Sequence, residues 1–317
     1  MFNSKIEKRQ SGILLYGITP PKANNSAEKI EEITKRTIGR VQDLDIDGLV
    51  IYDLQDEATR NPMERPFPFF QTIDAFTYAN EWFRDLNLSK IVYCSVGKLT
   101  EDELSRQVQK GQGNNATVFV GAPSRDHQVQ LSLDKAYKIW KDYNPSSLLG
   151  AVAIPERHNL KKNEHIRIAN KMQSGCSFFI TQCVYNVEYV KNLVSDLYFS
   201  SQQTGTDIPT LIFTLTPCGS VKTLKFLDWL GIHVPEWLVN ELTYSNNILS
   251  RSVDLCIQIA TEIIDYCLDK NIPFGLNIES VSIRKEEIEA SGLLLKSVAK
   301  ILEEKGVRSK LEKGLLA

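Results

Sequence analysis

The residues best suited to chemistry stand where apolar runs stop. Ser177 to Ile180 has the composition of a buried parallel strand, and it ends in the polar pair Thr181 and Gln182. Polar side chains closing such a strand are costly unless they face solvent, a ligand or each other. The pattern recurs along the chain. Gly48 to Tyr52 leads to Asp53, Lys90 to Ser95 contains Tyr93 and Ser95, and Ala116 to Val120 leads to Ser124 and Arg125. Leu148 to Ala153 leads to Glu156, Arg157 and His158, and Phe274 to Ile278 contains Asn277 and leads to Glu279. The carboxylates Glu279, Glu156 and Asp53 are candidates for acid and base work. Gln182, Thr181 and Tyr52 are candidate substrate-binding groups, and Tyr93, Ser95 and Arg125 candidate cofactor-binding groups. Each has a plainer reading: Asp53, Arg125 and Arg157 read equally as solvated loop charges. Gly219, Ser220 and Lys222 could cradle a phosphate at a helix start, and Ser220 serves equally as an ordinary cap.

The elements that must position these groups follow a regular alternation. Eight strand-like stretches begin at Gly12, Gly48, Lys90, Ala116, Leu148, Ser177, Thr210 and Phe274, and each is followed by at least one helical pattern. Asn25 or Ser26 caps one helix, and Thr100 with Glu103 has the capping-box spacing for another. Ile166 to Ser174 and Val187 to Ser200 read as helices on either side of the strand that ends at Gln182. Between the seventh and eighth strands an extra helix lies near Asn247 to Lys270. This order predicts a single (β/α)8 TIM barrel over residues 1–317, with active groups at the carboxyl ends of the strands. The rival is an open doubly wound sheet, but no GxGxxG follows the first strand.

Composition narrows the function. The chain has 317 residues, 42% of them hydrophobic, enough for one large barrel. A net charge of −2 gives no reason to expect nucleic acid or an anionic membrane as partner. The polar start MFNSKIEKRQ lacks the apolar core of a signal peptide, and no later run is long enough to span a bilayer. A cytoplasmic protein is expected, with homo-oligomer formation left open. The six cysteines include no CxxC pair and read as free core thiols, although Cys183 and Cys218 follow strand ends and could face a pocket. The four histidines are too dispersed in sequence to suggest zinc, and no metal site is expected. GxSxG, HExxH and P-loop motifs are absent, so hydrolase and kinase readings have no support.

Several segments, in order, resemble the methylenetetrahydrofolate reductase family. They are YGITPPK after the first strand, LTEDEL at the third helix, AIPERH after the fifth strand, GCSFFITQCVYN, the run from IPTLIF to VPEWL, and PFGLNIESVS. The resemblance implies a (β/α)8 barrel that binds FAD and transfers hydride from NADH or NADPH to a folate-like substrate in one-carbon metabolism. It implies that Gln182 hydrogen-bonds the pterin, that Lys171 lies near the flavin phosphates, and that His158 matches the histidine of the PE segment. The chain departs from the family pattern at four places. Gly17 stands where the family has a glutamate that protonates the folate nitrogen. Val120, Gly121 and Ala122 replace an RGD motif, Tyr93 replaces a histidine, and Glu279 replaces the eighth-strand tyrosine. Glu279, Glu156 or Asp53 is then expected to supply the proton. A folate-dependent one-carbon transferase, or a folate-binding protein without reductase activity, is the alternative.

Overall fold

The alternating strands and helices close on themselves in the computed structural model, which describes residues 2–56, 62–110, 115–122, 129–143 and 147–309. The strands are β1 (Ile13–Ile18), β2 (Gly48–Ile51), β3 (Ser89–Ser95), β4 (Ala116–Val120), β5 (Leu148–Ala153), β6 (Cys176–Cys183), β7 (Thr210–Leu215) and β8 (Phe274–Glu279). Each pairs in parallel with the next, and β8 returns to β1, so the expected (β/α)8 barrel is the observed fold.

The helices fall where the capping signals place them, with additions. A short helix, α1 (Phe2–Glu7), precedes the barrel; α2 (Ala27–Gln42) follows β1, and α3 (Ala75–Thr77) follows β2 and continues as a π-turn. Next come α4 (Glu101–Lys110) and α5 (Leu133–Tyr143), then α6 (Pro155–Lys161) and α7 (Glu164–Gln173) between β5 and β6. After β6 runs α8 (Val187–Thr204); α9 (Val221–Trp229), α10 (Glu236–Thr243) and α11 (Ile248–Asp269) separate β7 from β8, and α12 (Lys285–Glu304) ends the alternation. The Thr100 capping box forms reciprocally, with Thr100 N donating to Glu103 Oε2 at 2.8 Å and Glu103 N to Thr100 Oγ1 at 3.2 Å. Three helices were not expected from sequence. Of these, α1 has a polar-looking sequence, α6 begins with Pro155 at its first position, and α10 is only eight residues long.

Period-two alternation divides the barrel wall. Ile13, Leu15, Val50, Ile91, Val118, Phe178, Ile180 and Ile212 point inward and fill the barrel with hydrocarbon. Their sequence neighbours pack outward against the helices. At the amino end of the strands, α1 turns Phe2 onto Phe178, with ring centroids 5.2 Å apart and an edge-on angle of 87°. Phe2 is fully buried, so α1 acts as a plug.

A charge cluster locks the same end. Arg308, beyond α12, donates to the Gly12 carbonyl at 3.0 Å, to Asp47 at 2.6 Å and to Asp45 at 2.7 Å. Lys5 of α1 pairs with the other Asp47 oxygen at 2.7 Å. Burial alone would raise the Asp47 carboxyl, but Arg308 and Lys5 hold it below the usual carboxylate range. This cluster ties α1 and the segment just after α12 to the starts of β1 and β2. An R308A variant leaves a buried carboxylate short of its main partner and is expected to lose about 3 kcal/mol in a urea unfolding curve. A loss below about 1 kcal/mol would show that the cluster is a surface ornament.

Candidate functional site

Towards the carboxyl ends of the strands, the inward side chains change from hydrocarbon to polar. Asn277 and Glu279 of β8, Thr214 of β7, Tyr93 of β3 and Tyr52 just past β2 all lie within this upper layer. Asn277 and Thr214 are buried, and Glu279 is only 8% exposed. Asn277 Nδ2 donates to the Tyr52 hydroxyl at 2.8 Å and to Thr214 Oγ1 at 3.2 Å. The Tyr52 and Tyr93 rings meet edge-on, centroids 4.7 Å apart. The Tyr52 hydroxyl bonds the Glu279 carboxylate, and the Cys183 thiol donates to Glu279 Oε1 at 2.9 Å.

No cation faces this carboxylate in those bonds. Burial raises the Glu279 pKa, and the bonds from Cys183 and Tyr52 only partly oppose the rise. Burial and the Glu279 charge together push the hydroxyls of Tyr52 and Tyr93 and the thiol of Cys183 well above their ordinary values, so all three keep their protons. Glu156, at the start of α6, adds a second negative field felt at Cys183. The cluster is a buried carboxyl ringed by neutral donors: burial favours its proton, and the bonds from Tyr52 and Cys183 work against that.

Gly17 makes the room for Glu279. The β1–β8 register sets Gly17 opposite Glu279. A Cβ at position 17 would lie 2.9 Å from both the Glu279 Cβ and the Tyr52 Cε2, and 3.2 Å from Glu279 Oε2. A glutamate on β1 and a glutamate on β8 would therefore compete for one space.

The end of β6 is irregular, and the irregularity aims its side chains. Ladder pairing with β7 shifts between Ile180 and Cys183. Thr181 Oγ1 accepts from Thr214 N at 3.0 Å within this break, so Thr181 serves the bulge rather than facing the mouth. Cys183 turns onto Glu279, while Gln182 Nε2 donates to the Leu230 carbonyl at 2.7 Å. Leu230 caps α9, and its neighbour Trp229 donates from Nε1 to the Met63 carbonyl at 3.0 Å. Phe226 stacks on Trp229 and takes the edge of Phe67, which joins α9 to the loop after β2 beside the mouth.

Other sequence-chosen residues are occupied elsewhere. Asp53 accepts from Ser95 N at 2.8 Å and pairs with Lys98, and Ser95 Oγ donates to the Asp53 carbonyl at 3.2 Å. These two residues clamp the tops of β2 and β3 to each other. His158 is fully buried and bonded to Asp196 of α8 at 3.1 Å, because the turn of α6 carries it away from Glu156. Lys171 of α7 donates to the Val152 carbonyl at 2.7 Å, and burial brings its ammonium down to about 8. The phosphate reading at Gly219 and Ser220 gives way to the cap. Ser220 Oγ accepts from Thr223 N at 3.1 Å, and Glu287 occupies the space beside Gly219, where a Cβ would meet its Cγ at 2.5 Å. Arg125 lies outside the described residues. The Leu230 carbonyl escaped sequence reasoning, since a backbone acceptor leaves no mark in residue type. All six cysteines are buried and unpaired. No helix among the described residues is long and apolar enough to cross a membrane.

Comparison with known proteins places this geometry. An uncharacterized protein from Clostridium thermocellum that binds two copies of 5-methyl-5,6,7,8-tetrahydrofolic acid is 50% identical over 95% of this chain and 100% of its own, with a TM-score of 0.85. A GH10 endoxylanase from a sugarcane soil metagenome, 9% identical with a TM-score of 0.52 over 92% of this chain and 98% of its own, shares the barrel alone. No curated protein matches. The profile of the family described as methylenetetrahydrofolate reductase matches residues 124–285. Those residues make up just over half of the 317 and include the bulged strand, the α9 segment and Glu279, so the chain belongs to the methylenetetrahydrofolate reductase family.

Proposed function

We propose that this protein seats a reduced folate in the barrel mouth and catalyses hydride addition to its one-carbon group, with Glu279 as the proton donor. The observation that carries the reading is the exchange between strands. The resemblance puts the family's proton-donating glutamate at position 17, and the Glu279 carboxylate lies beside that glycine, on the neighbouring strand. The acid keeps its place in space while changing its place in sequence. The tetrahydrofolate ligand of the Clostridium thermocellum relative supports a folate as the occupant.

In this mechanism a methylene carbon bridges two folate nitrogens. Glu279 gives its proton to one bridge nitrogen, the bond from that nitrogen to the carbon breaks, and the remaining iminium accepts a hydride to become a methyl group. Tyr52 and Cys183 then stabilise the carboxylate that is left, through the bonds they already make. Gln182 reads the pterin edge, exchanging the Leu230 carbonyl for the ligand.

FAD is the group that family membership implies, and the positions carried over for it do not fit. Ser95 is bound to Asp53, His158 to Asp196 and Lys171 to Val152; of the described positions, only Tyr93 faces the barrel interior. The hydride is accordingly assigned to a reduced nicotinamide, NADH or NADPH, that enters the mouth as co-substrate.

The test is oxidation of NADH or NADPH dependent on methylenetetrahydrofolate. E279Q should lower kcat by about 10² to 10⁴ while 5-methyltetrahydrofolate still raises the melting temperature. If wild-type protein binds the folate and never consumes the nicotinamide, the redox step is wrong and the folate seat stands. Q182A should weaken folate binding by about tenfold, the equivalent of one well-made hydrogen bond. An unchanged dissociation constant would remove Gln182 from the site.

The buried acid also marks the pH dependence of stability. The native pKa of Glu279 is raised above its ordinary value, so between the two values the native state holds more proton than the unfolded chain. Native stability must then fall as pH rises through that window. Denaturant unfolding across the window should show this decline in the wild type, and E279Q should show a shallower one. Equal slopes would mean that Glu279 ionises as freely in the barrel as in water.

A further inference from the structure

Away from the mouth, three side chains from three consecutive helices converge on the outer side of β5 and β6. His158 of α6, His165 of α7 and Asp196 of α8 each bring one potential ligand atom within 4.8 Å of the other two. The imidazole rings meet edge-on with centroids 5.4 Å apart, and one nitrogen of His158 is 3.1 Å from an Asp196 oxygen. His158 is fully buried. In both rings Nδ1 is buried and has no hydrogen-bond partner among the described residues.

Two imidazoles, each with a buried and unanswered Nδ1, beside a carboxylate are poorly explained by hydrogen bonding alone. A neutral imidazole carries one N–H and one lone pair, and His158 engages only one of these with Asp196. Protonating both rings would place two charges side by side, 5.4 Å between ring centroids. Neutral imidazole is the form that binds metal. The Asp196 side chain is 49% exposed, which gives an entry path and leaves a position for water. Lys162 opposes a cation here, and the Asp196 charge offsets it.

We propose that His158, His165 and Asp196 form a binding site for one divalent transition-metal ion of the zinc or cobalt class, with water as the fourth ligand. The ion would clasp α6, α7 and α8 together. These helices flank β6, the strand that ends in Gln182, so the clasp would stiffen the support of the folate site without entering it.

Chelator-treated full-length protein titrated with cobalt(II) chloride provides the test. The expected result is a visible absorption band of tetrahedral cobalt that saturates at one equivalent and disappears when zinc chloride is added. Zinc should also raise the melting temperature. H165A and D196N should each weaken cobalt binding more than about tenfold while keeping the wild-type far-ultraviolet circular dichroism. D196N retains a hydrogen-bonding group for His158, so its loss of binding would not stem from misfolding. No saturable cobalt band in the wild type, or a band that survives in both variants, would overturn the site and leave a simple His–Asp hydrogen bond.

Discussion

Closure of the barrel between β1 and β8 sets the terms for everything at the mouth. In that register Gly17 and Glu279 stand opposite each other, and the space that one side chain leaves is the space the other fills. A carboxyl buried to this degree is tolerated because its neighbours answer it with donors. Tyr52 and Cys183 supply those donors, and Asn277 and Thr214 hold Tyr52 in line. Burial raises the pKa of the group, and these uncharged donors oppose the rise only in part. Steric room, burial and proton affinity are thus consequences of a single strand pairing.

The break in β6 is the second determinant. A regular strand would alternate Ile180, Thr181, Gln182 and Cys183 between the two faces. The bulge instead gives Thr181 to the backbone of β7, Cys183 to Glu279 and Gln182 to the α9 segment. Bulges re-aim side chains next to active sites, and this one delivers three consecutive residues to three separate partners. Gln182 is thereby linked to the same segment that Trp229 fastens to the loop after β2, so the two sides of the mouth share one set of contacts.

The barrel separates stability from chemistry along its axis. At the amino end, Lys5, Asp45, Asp47 and Arg308 tie α1 and the segment after α12 to the first strands, and Phe2 packs on Phe178 of β6. Between the ends lies hydrocarbon, and at the carboxyl end lies the polar cluster. At the carboxyl end, β1 and β8 offer inward positions at the same height, Gly17 and Glu279. The helices behind β5 and β6 use polar residues of their own. His158 completes a helix-to-helix contact with Asp196, and Lys171 a helix-to-wall contact with the Val152 carbonyl.

By itself the sequence determined the alternation of strands and helices, the capping of α2 and α4, and the family, because these depend on local periodicity, short side-chain-to-backbone reach and motif order. It also marked Gln182 and Glu279 as candidates, since polar residues at the end of an apolar run are conspicuous. It could not separate Asp53, Ser95 and Thr181 from ligand-facing groups, because a strand-end polar residue that clamps a neighbouring strand has the same local sequence as one that meets a substrate. It missed α1 and α6 because a helix of six or seven residues is held by tertiary packing rather than by its own propensity. Only the tertiary structure decided that Gly17 and Glu279 occupy one site, and that His158, His165 and Asp196 meet. Residues far apart in the chain, or on separate helices, are brought together by barrel closure and helix packing, and neither leaves a trace in local spacing.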